Sequence, residues 1–205
     1  MQASRTLLST ADFKRTPWKN GLGWTDQIAI HPEGADLRKG DFDWCISTAR
    51  VAQSANFSPF ADHDRVLVVL EGAGVKLSHS FDESEAPECV QLPQWEPYEF
   101  PGDVPTRCDL VDGPIQDFSV FMRKGVVSAQ VQTVQIQEGE PFEWEPQGRT
   151  CFVFVAEGSL EIDGTNVGVG QALRIERSQS QAQGSDPAPW QLSSDGARAL
   201  LVELA

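Results

Sequence analysis

The feature that most restricts the fold of this chain is a strand pattern that occurs twice. Residues 65–74 read RVLVVLEGAG and residues 150–159 read TCFVFVAEGS, so each is an apolar run that ends in Glu-Gly. Each copy continues into a short alternating segment, at 75–77 and at 160–162. Short runs of this composition are typical of buried strands, and the alternation is typical of half-buried ones. The repeat therefore predicts an all-β chain made of two related modules.

The segments that follow each copy also match. In the second copy, Asp163-Gly164 is a hairpin signal, and residues 167–175 give a strand, a glycine turn and another strand. In the first copy, residues 90–92 and 97–103 form a similar end. This order is typical of a cupin barrel. We therefore predict a bicupin, with two cupin-like antiparallel β-barrels (jelly rolls) in one chain. The alternative is a single β-sandwich in which the similarity arises by chance.

The predicted seam between the modules lies near Arg123-Lys124-Gly125. It divides the chain into residues 1–123, an N-terminal barrel with a ligand pocket, and residues 124–205, a C-terminal barrel. Two segments look like insertions into this framework. Residues 81–88 are acidic and bounded by proline, and residues 178–189 are rich in Ser, Gln, Ala, Gly and Pro. We interpret both as surface loops.

The charge of the chain excludes several kinds of partner. Its 16 Lys and Arg residues face 30 Asp and Glu residues, which gives a net charge of −14. Such a surface repels the phosphates of nucleic acids and of anionic lipids, so neither partner is expected. No apolar run approaches the roughly 18–20 residues of a membrane span, and the first ten residues lack the apolar core of a signal peptide. We predict a cytoplasmic protein, and the sequence is compatible with a homodimer.

Neither the cysteines nor the histidines have the spacing of a metal site. The four cysteines form no CxxC motif, so we predict free thiols at Cys45, Cys89, Cys108 and Cys151. A metal-binding cupin needs two histidines at i and i+2 on one strand, whereas this chain has only His31, His63 and His79. We expect His31 near a turn and His79 on the surface. The sequence therefore predicts no metal and no cofactor.

One segment with ligand-binding chemistry is PWKNGLGWT, at residues 17–25. It places Lys19 and Asn20 in a glycine-containing turn, next to Trp18. Such a turn lets backbone amides approach a ligand, and a lysine can pair with an anion. The alternative is a plain loop anchored by its aromatic residues, which composition alone favours.

Two further segments place charges next to predicted strands. Residues 56–65, NFSPFADHDR, lead directly into the first repeated strand. Arg65 either pairs with its neighbour Asp64 or points into the barrel as a fork for a carboxylate. Residues 113–123, GPIQDFSVFMR, are a turn followed by a strand with a charge near each end, Asp117 and Arg123. Nothing in the chain resembles a Ser-His-Asp triad, a P-loop or a dinucleotide fingerprint.

Taken together, these segments resemble the HutD/Ves family, whose members occur with histidine-utilisation genes or as stress-associated proteins. The resemblance covers residues 7–124 and rests on five ordered blocks. They are PWKNGLGWT, the FDW segment at 42–44 with Ser47 and Ala49, FSPFADHDR, LEGAG and GPIQDFSVFMRKG. Three positions depart from the family pattern. Leu22 interrupts a run of glycines, Cys45 replaces an arginine, and Ser119 replaces an asparagine.

The resemblance implies a metal-free bicupin without an established reaction, which binds a small intermediate and tunes a pathway. It suggests a small carboxylate of histidine degradation, such as urocanate or formylglutamate, as the ligand. The residues it places in the pocket are Lys19, Asn20, Arg65, Asp117 and Arg123, with Trp18 and Phe60 as walls. Two alternatives stay open. One is a metal-independent isomerase or hydrolase that uses Asp64, His63 or Asp117 as an acid–base pair, and the other is a structural partner of another enzyme.

Overall fold

The computed structural model of the protein describes residues 3–18, 23–82, 84–177 and 189–205. Within these ranges every regular element is a β-strand, and none of them contains a helix that could span a membrane. The strands are β1 (Ser4–Leu8), β2 (Lys14–Pro17), β3 (Gly23–His31), β4 (Trp44–Val51), β5 (Ala55–Asn56), β6 (His63–Glu71), β7 (Val75–His79), β8 (Glu88–Leu92), β9 (Tyr98–Pro101), β10 (Thr106–Leu110), β11 (Ile115–Arg123), β12 (Ala129–Ile136), β13 (Phe142–Trp144), β14 (Thr150–Ile162), β15 (Thr165–Gly168), β16 (Ala172–Glu176), β17 (Trp190–Ser193) and β18 (Ala197–Leu204).

Residues 13–127 form one compact unit, called here the N-terminal unit. It contains a six-stranded sheet in the order β2-β3-β4-β11-β6-β9 and a four-stranded sheet in the order β5-β10-β7-β8. Neighbouring strands are antiparallel throughout both sheets. Apolar side chains from both sheets, among them Leu67, Leu77 and Ile115, make one core cluster. This unit is therefore two sheets packed face to face around a shared interior.

The second compact unit, called the C-terminal unit, combines β1 with residues 128–205. Its strands belong to one eight-stranded sheet because β14 bends from one run of strands into another. The first half of β14 lies in the run β1-β16-β14-β18-β12, and its second half lies in the run β15-β14-β17-β13. A register shift between Val155 and Glu157 marks the bend, as bulges commonly do.

The two units share one strand order. In the N-terminal unit, β6 pairs with β9 on one side and with β11 on the other, and β11 pairs with β4. In the C-terminal unit, the first half of β14 likewise pairs with β16 and β18, and β18 pairs with β12. The pairings of β7 with β8 and β10 recur as the second half of β14 with β15 and β17. The prediction of an all-β chain is confirmed, and the repeated sequence pattern corresponds to a repeated topology.

The division of the chain differs from the predicted domains at its N-terminus. Along the chain, the boundary between the units lies between Val127 and Ser128, close to the predicted seam near Arg123-Lys124-Gly125. The first residues, however, were predicted to belong to the N-terminal barrel, whereas β1 pairs with β16 of the C-terminal unit, with Leu7 opposite Leu173. A five-residue strand carries no signal for its distant partner. Only the backbone hydrogen bonds that it adds along β16 reveal where it belongs.

The Glu-Gly pairs of the repeat end in glycines with positive φ, +100° at Gly72 and +73° at Gly158. L-residues with a Cβ rarely adopt this conformation. Both glycines also lie against the backbone that enters the last strand of their unit. A Cβ on Gly72 would be 2.7 Å from the oxygen of Pro114, and a Cβ on Gly158 would overlap the oxygen of Gly196. The repeated glycines are therefore required where two segments of backbone approach closely.

The cysteines differ in exposure, which allows a prediction. Cys45, Cys108 and Cys151 are buried, whereas Cys89 on β8 is exposed. Burial raises the pKa of the Cys45 thiol, and it raises those of Cys108 and Cys151 to about 12. Because the thiolate is the reactive form, these three thiols should be unreactive in the folded protein. We expect a thiol reagent such as Ellman's reagent to titrate one cysteine in native protein and four in denaturant. Two in denaturant would contradict free thiols.

Candidate functional site

The candidate site lies on the inner face of the N-terminal unit, where polar side chains interrupt the apolar core. On β11, Asp117, Ser119 and Phe121 alternate with residues of the opposite face. Phe121 is opposite Arg65 on β6, and Ser119 is opposite Ser47 on β4. Residues directly opposite each other point to the same side of a sheet. The register therefore brings these polar groups to the side that holds the core.

Arg65 is at the centre of this group and is only 8% exposed. Its Nε and Nη2 atoms donate to Ser119 Oγ at 3.2 and 2.9 Å. Its Cζ atom lies 4.0 Å from the ring centroid of Phe57 and 5.0 Å from that of Phe121. Aromatic faces attract a guanidinium at such distances. Within the described part of the chain, Nη1 has no hydrogen-bond acceptor. One edge of the guanidinium can therefore donate to a ligand.

Asp117 is the counter-charge of Arg65, but the two are not joined by a direct hydrogen bond. The carboxylate is 2% exposed, and its Oδ2 atom lies 3.7 Å from Arg65 Nη2. Burial raises the pKa of Asp117 to about 6, although Arg65 and a backbone hydrogen bond from Ala49 act in the opposite direction. Burial also lowers the pKa of Arg65 despite the nearby carboxylate. Desolvation thus outweighs the attraction for both partners, as is common for buried ion pairs.

The C-terminal unit provides an internal comparison, because the same strands carry apolar residues at the same places. Glu71-Gly72 corresponds to Glu157-Gly158, and β11 pairs with β6 as β18 pairs with β14. These two correspondences identify the residues equivalent to Arg65, Asp117 and Ser119. These are Cys151, Ala199 and Leu201, all of which belong to the apolar core of that unit. The shared fold therefore does not require a buried arginine or aspartate here, so the polar group is particular to the N-terminal unit.

Not all residues predicted for the pocket can be placed. Lys19, Asn20 and also Leu22 lie outside the described residues. Trp18 packs against the core of the N-terminal unit, and its Nε1 donates to Thr25 Oγ1 at 2.9 Å. Phe60 lies near Phe121, with their ring centroids 4.7 Å apart. Phe121 also contacts Arg65, so Phe60 is one ring removed from the guanidinium.

Arg123 lies apart from the buried ion pair. It is on the same strand as Asp117 but roughly 20 Å further along, given the rise per residue of a strand. Its Nε and Nη2 atoms donate to the backbone oxygen of Phe42 at 2.9 and 2.8 Å, and Nε lies 3.4 Å from Asp43 Oδ1. The structure thus places Asp117, Phe57 and Phe121 around Arg65. Arg123 instead holds the segment that leads into β4.

The prediction that His79 lies on the surface is wrong. His79 is 1% exposed because it follows Val75 and Leu77 on the inward-facing side of β7. Its Nδ1 atom lies 2.9 Å from Thr106 Oγ1, and its Nε2 atom lies 3.2 Å from the hydroxyl of Tyr98. The acidic loop that follows it in sequence was a misleading signal, whereas the alternation along β7 could have revealed its position. His31 is the last residue of β3 and directly precedes a turn, as expected.

The site also contains aromatic residues that the sequence analysis does not predict. Phe57 and Phe100 stack with ring centroids 6.4 Å apart, and Phe100 lies 5.8 Å from both Arg65 Cζ and the ring of Tyr98. The available signal was the spacing of Tyr98 and Phe100, two residues apart on one strand, which places them on one face. Their proximity to Arg65 depends on the pairing of β9 with β6, which the sequence does not specify.

The residues considered for acid–base catalysis do not meet. Asp64 lies on the face of β6 opposite to Arg65, and its carboxylate is 3.7 Å from Lys124 Nζ. The two ring nitrogens of His63 lie 2.7 Å from Ala61 O and 3.0 Å from Phe42 O. Neither residue contacts Asp117. Across residues 3–18, 23–82, 84–177 and 189–205, no group of three or more His, Cys, Asp or Glu side chains is arranged to hold a metal ion.

Comparisons with known proteins point to one family. The HutD family model matches residues 10–201. The chain is 34% identical over 116 residues to a 21.2 kDa protein encoded in the 3′ region of hutC in Pseudomonas putida. It is 32% identical over 127 residues to Protein Ves of Cronobacter sakazakii. These alignments cover 56% and 59% of this chain, and 56% and 64% of the relatives' own lengths.

Solved structures agree with this relationship over almost the whole chain. A conserved protein of unknown function from Pseudomonas aeruginosa PAO1 is 28% identical with a TM-score of 0.80, and HutD from Pseudomonas fluorescens SBW25 is 27% identical with a TM-score of 0.78. Each alignment covers 98% of both chains. More distant matches are the pirin YhhW from Escherichia coli, at 12% identity, and oxalate decarboxylase from Bacillus subtilis, at 9%, both with a TM-score of 0.66. They show only that the fold is cupin-like.

Proposed function

This chain belongs to the HutD family, and from that premise we propose that it binds a small anionic metabolite, without a metal, as a regulatory or accessory protein of histidine utilisation. Support for the pathway comes from the family and from the relative encoded beside hutC. As ligands we propose small carboxylates of the urocanate or formylglutamate class. We also propose that each unit closes into a cupin barrel, which would make the chain a cytoplasmic bicupin.

The observation that carries the proposal is the buried guanidinium of Arg65. Its charge lies in an apolar interior, where an isolated ion is strongly destabilised. Its counter-ion, Asp117, lies 3.7 Å away, so the two charges are not joined by a direct hydrogen bond. Burial also raises the pKa of Asp117 to about 6, which makes its charge easier to remove by protonation. The C-terminal unit has apolar residues at the equivalent positions. A buried cation that the fold does not require, with one free edge, suits a planar carboxylate.

The proposed binding mode uses the groups around that edge. Ser119 accepts hydrogen bonds from Nε and Nη2 and so fixes the plane of the guanidinium. Phe57 and Phe121 flank it and exclude water, which strengthens a charge-assisted hydrogen bond. A carboxylate then accepts from Nη1. We further propose that Lys19 adds a second cation, that Asn20 orients the ligand, that Trp18 and Phe60 are outer walls, and that Arg123 shapes the adjoining loop.

Isothermal titration calorimetry with matched ligands tests this proposal. Urocanate and N-formyl-L-glutamate should each bind in a 1:1 ratio. Urocanamide, in which an amide replaces the carboxylate, should bind at least tenfold more weakly than urocanate. Elemental analysis of the same protein should find no stoichiometric transition metal. Equal affinities for urocanate and its amide, or turnover of either carboxylate in the presence of a chelator, would contradict a non-catalytic carboxylate-binding protein.

Carboxylate affinity should fall as the pH rises from 6 to 8. Below its pKa of about 6, Asp117 is protonated and leaves Arg65 without a counter-ion. Above that pH, the Asp117 carboxylate competes with the ligand for the guanidinium. The affinity should then decrease by up to about tenfold per pH unit, because binding takes up one proton. N-formyl-L-glutamate is the ligand for this measurement, because its carboxylates stay ionised throughout this range, whereas the imidazole of urocanate titrates near it.

The Asp117→Asn variant is the matched control for this pH dependence. It keeps the size of the side chain and removes its charge, so it should bind carboxylates more tightly at pH 8 and show a flat profile. Calorimetry in buffers of different ionisation enthalpy should detect proton uptake by the wild type but not by the variant. Profiles that fall equally in both proteins would show that another group causes the dependence.

A further inference from the structure

A hydrogen-bond chain next to the Arg65 site has a direction that can be assigned. The hydroxyl of Thr106 donates to the backbone oxygen of Val104 at 3.0 Å. A hydroxyl has a single proton, so Thr106 must act as the acceptor in its 2.9 Å hydrogen bond with His79 Nδ1. His79 therefore carries its proton on Nδ1.

The assignment fixes the role of the next residue. A neutral imidazole with its proton on Nδ1 has a lone pair on Nε2. Burial lowers the pKa of His79, which favours this neutral form. The hydroxyl of Tyr98, 3.2 Å from Nε2, is then the donor of that hydrogen bond. Because its proton is committed to His79, the oxygen of Tyr98 can only accept further hydrogen bonds. Among the described residues, no donor reaches it.

Tyr98 and Arg65 lie on the same face of the six-stranded sheet. Phe100 is directly opposite Arg65, and Tyr98 is opposite Leu67. Arg65 and Tyr98 are thus diagonal neighbours on adjacent strands, with their Cα atoms about 7–8 Å apart. The ring of Phe100 is a neighbour of both, 5.8 Å from Arg65 Cζ and 5.8 Å from the ring of Tyr98. A donor group for a carboxylate and an acceptor group therefore flank one aromatic ring.

We propose that Tyr98 is a specificity-determining residue, which selects ligands that carry an N–H donor in addition to the carboxylate bound by Arg65. This inference rests on the proposed function. A ligand with an amide or ring N–H donates it to the Tyr98 oxygen. A ligand that offers only a carbonyl or a second carboxylate at that point meets lone pairs, because Tyr98 has no proton left to donate.

A pair of probes with equal charge tests this role. N-formyl-L-glutamate has an amide N–H, whereas its N-methyl derivative has the same carboxylates and no N–H. Calorimetry on the full-length protein should give roughly threefold to tenfold tighter binding of the first probe, the range expected for one neutral hydrogen bond. Tyr98→Phe should remove this preference by weakening the first probe alone. If Tyr98 has a purely structural role, the variant will weaken both probes equally, and the inference fails.

Two more variants separate the possible failures. Arg65→Ala should weaken both probes, and if neither is affected, the proposed function itself is wrong. If Arg65→Ala weakens both but Tyr98→Phe keeps the preference for N–H, only the role of Tyr98 is wrong. Thr106→Val provides a second measurement if Tyr98→Phe does not fold. Without an acceptor at Nδ1, the proton of neutral His79 can move to Nε2 and donate to the Tyr98 oxygen, so Tyr98 can donate its own proton to the ligand. The preference for the probe with an N–H should then fall, and an unchanged preference contradicts the assignment.

Discussion

Replacing Arg65 by alanine should weaken carboxylate binding by roughly 10- to 150-fold. A charge-assisted hydrogen bond contributes on the order of 1.5–3 kcal/mol, and tenfold in affinity corresponds to about 1.4 kcal/mol. Arg65→Lys should not fully restore binding, because an ammonium lacks the planar edge that faces the ligand. The dissociation constants of urocanate measured by calorimetry check both expectations.

The control for this series is Arg107→Ala. Arg107 lies in the same unit, but its side chain is 53% exposed and pairs with Asp109 on the surface. The substitution removes the same charge as Arg65→Ala, but it does so at the surface. The affinity of this variant for urocanate should therefore stay within twofold of the wild type. Equal losses in both variants would mean that the ligand responds to the overall charge and not to the buried guanidinium.

Removing Arg65 also leaves Asp117 buried without its counter-charge, which could destabilise the fold. The double variant Arg65→Gln, Asp117→Asn avoids this effect, since it replaces both charges by neutral polar groups and leaves neither charge without its partner. We expect it to fold with a melting temperature near that of the wild type and to lose carboxylate binding. Tight binding by this double variant would contradict a role for Arg65.

Replacing Gly158 by alanine should destabilise the protein by roughly 2–6 kcal/mol. A left-handed backbone conformation costs a residue with a Cβ on the order of 1–3 kcal/mol, and overpacking adds a similar amount. Both apply here, because φ is +73° and the new methyl group would overlap the oxygen of Gly196. Chemical denaturation monitored by fluorescence would measure the loss.

Gly164→Ala separates the two contributions. Gly164 has a φ of +80° in the same unit, but a Cβ there meets nothing within 4 Å. This variant should lose only about 1–3 kcal/mol, the cost of the backbone conformation alone. If Gly158→Ala and Gly164→Ala lower the free energy of unfolding equally, the close approach of two backbone segments at Gly158 does not contribute to the loss. The Glu-Gly element would then be required only as a turn.

The repeated strands could be predicted from sequence because both Glu-Gly pairs mark a glycine that the backbone requires. The direction of Arg65 could not be predicted in the same way. β6 is buried on both faces, with Val66 and Val68 on one side and Leu67 and Val69 on the other. An alternation of apolar and polar residues, the usual sign of an inner face, is therefore missing. The sequence left two directions open, and only the pairing with β11 shows that Arg65 faces Ser119.

The other features that the sequence does not predict correctly have related causes. The acidic loop after His79 suggests an exposed side chain, but the position of His79 in the alternation of β7 determines its burial. Tyr98 and Phe100 join the site through the pairing of β9 with β6, and β1 joins the C-terminal unit through its pairing with β16. These are contacts between segments that are distant in sequence. Local patterns predict strands, but they do not say which strands are neighbours.

Carboxylate binding at Arg65 can be observed directly by NMR of its guanidinium while the ligand is added. The Nε–H resonance of Arg65, assigned from its absence in the Arg65→Lys variant, should shift on addition of urocanate and saturate. The dissociation constant from this shift should equal that from calorimetry, while the resonance of Arg107 should stay unchanged. A heat of binding without any shift of the Arg65 resonance would place the ligand elsewhere and contradict carboxylate binding by Arg65.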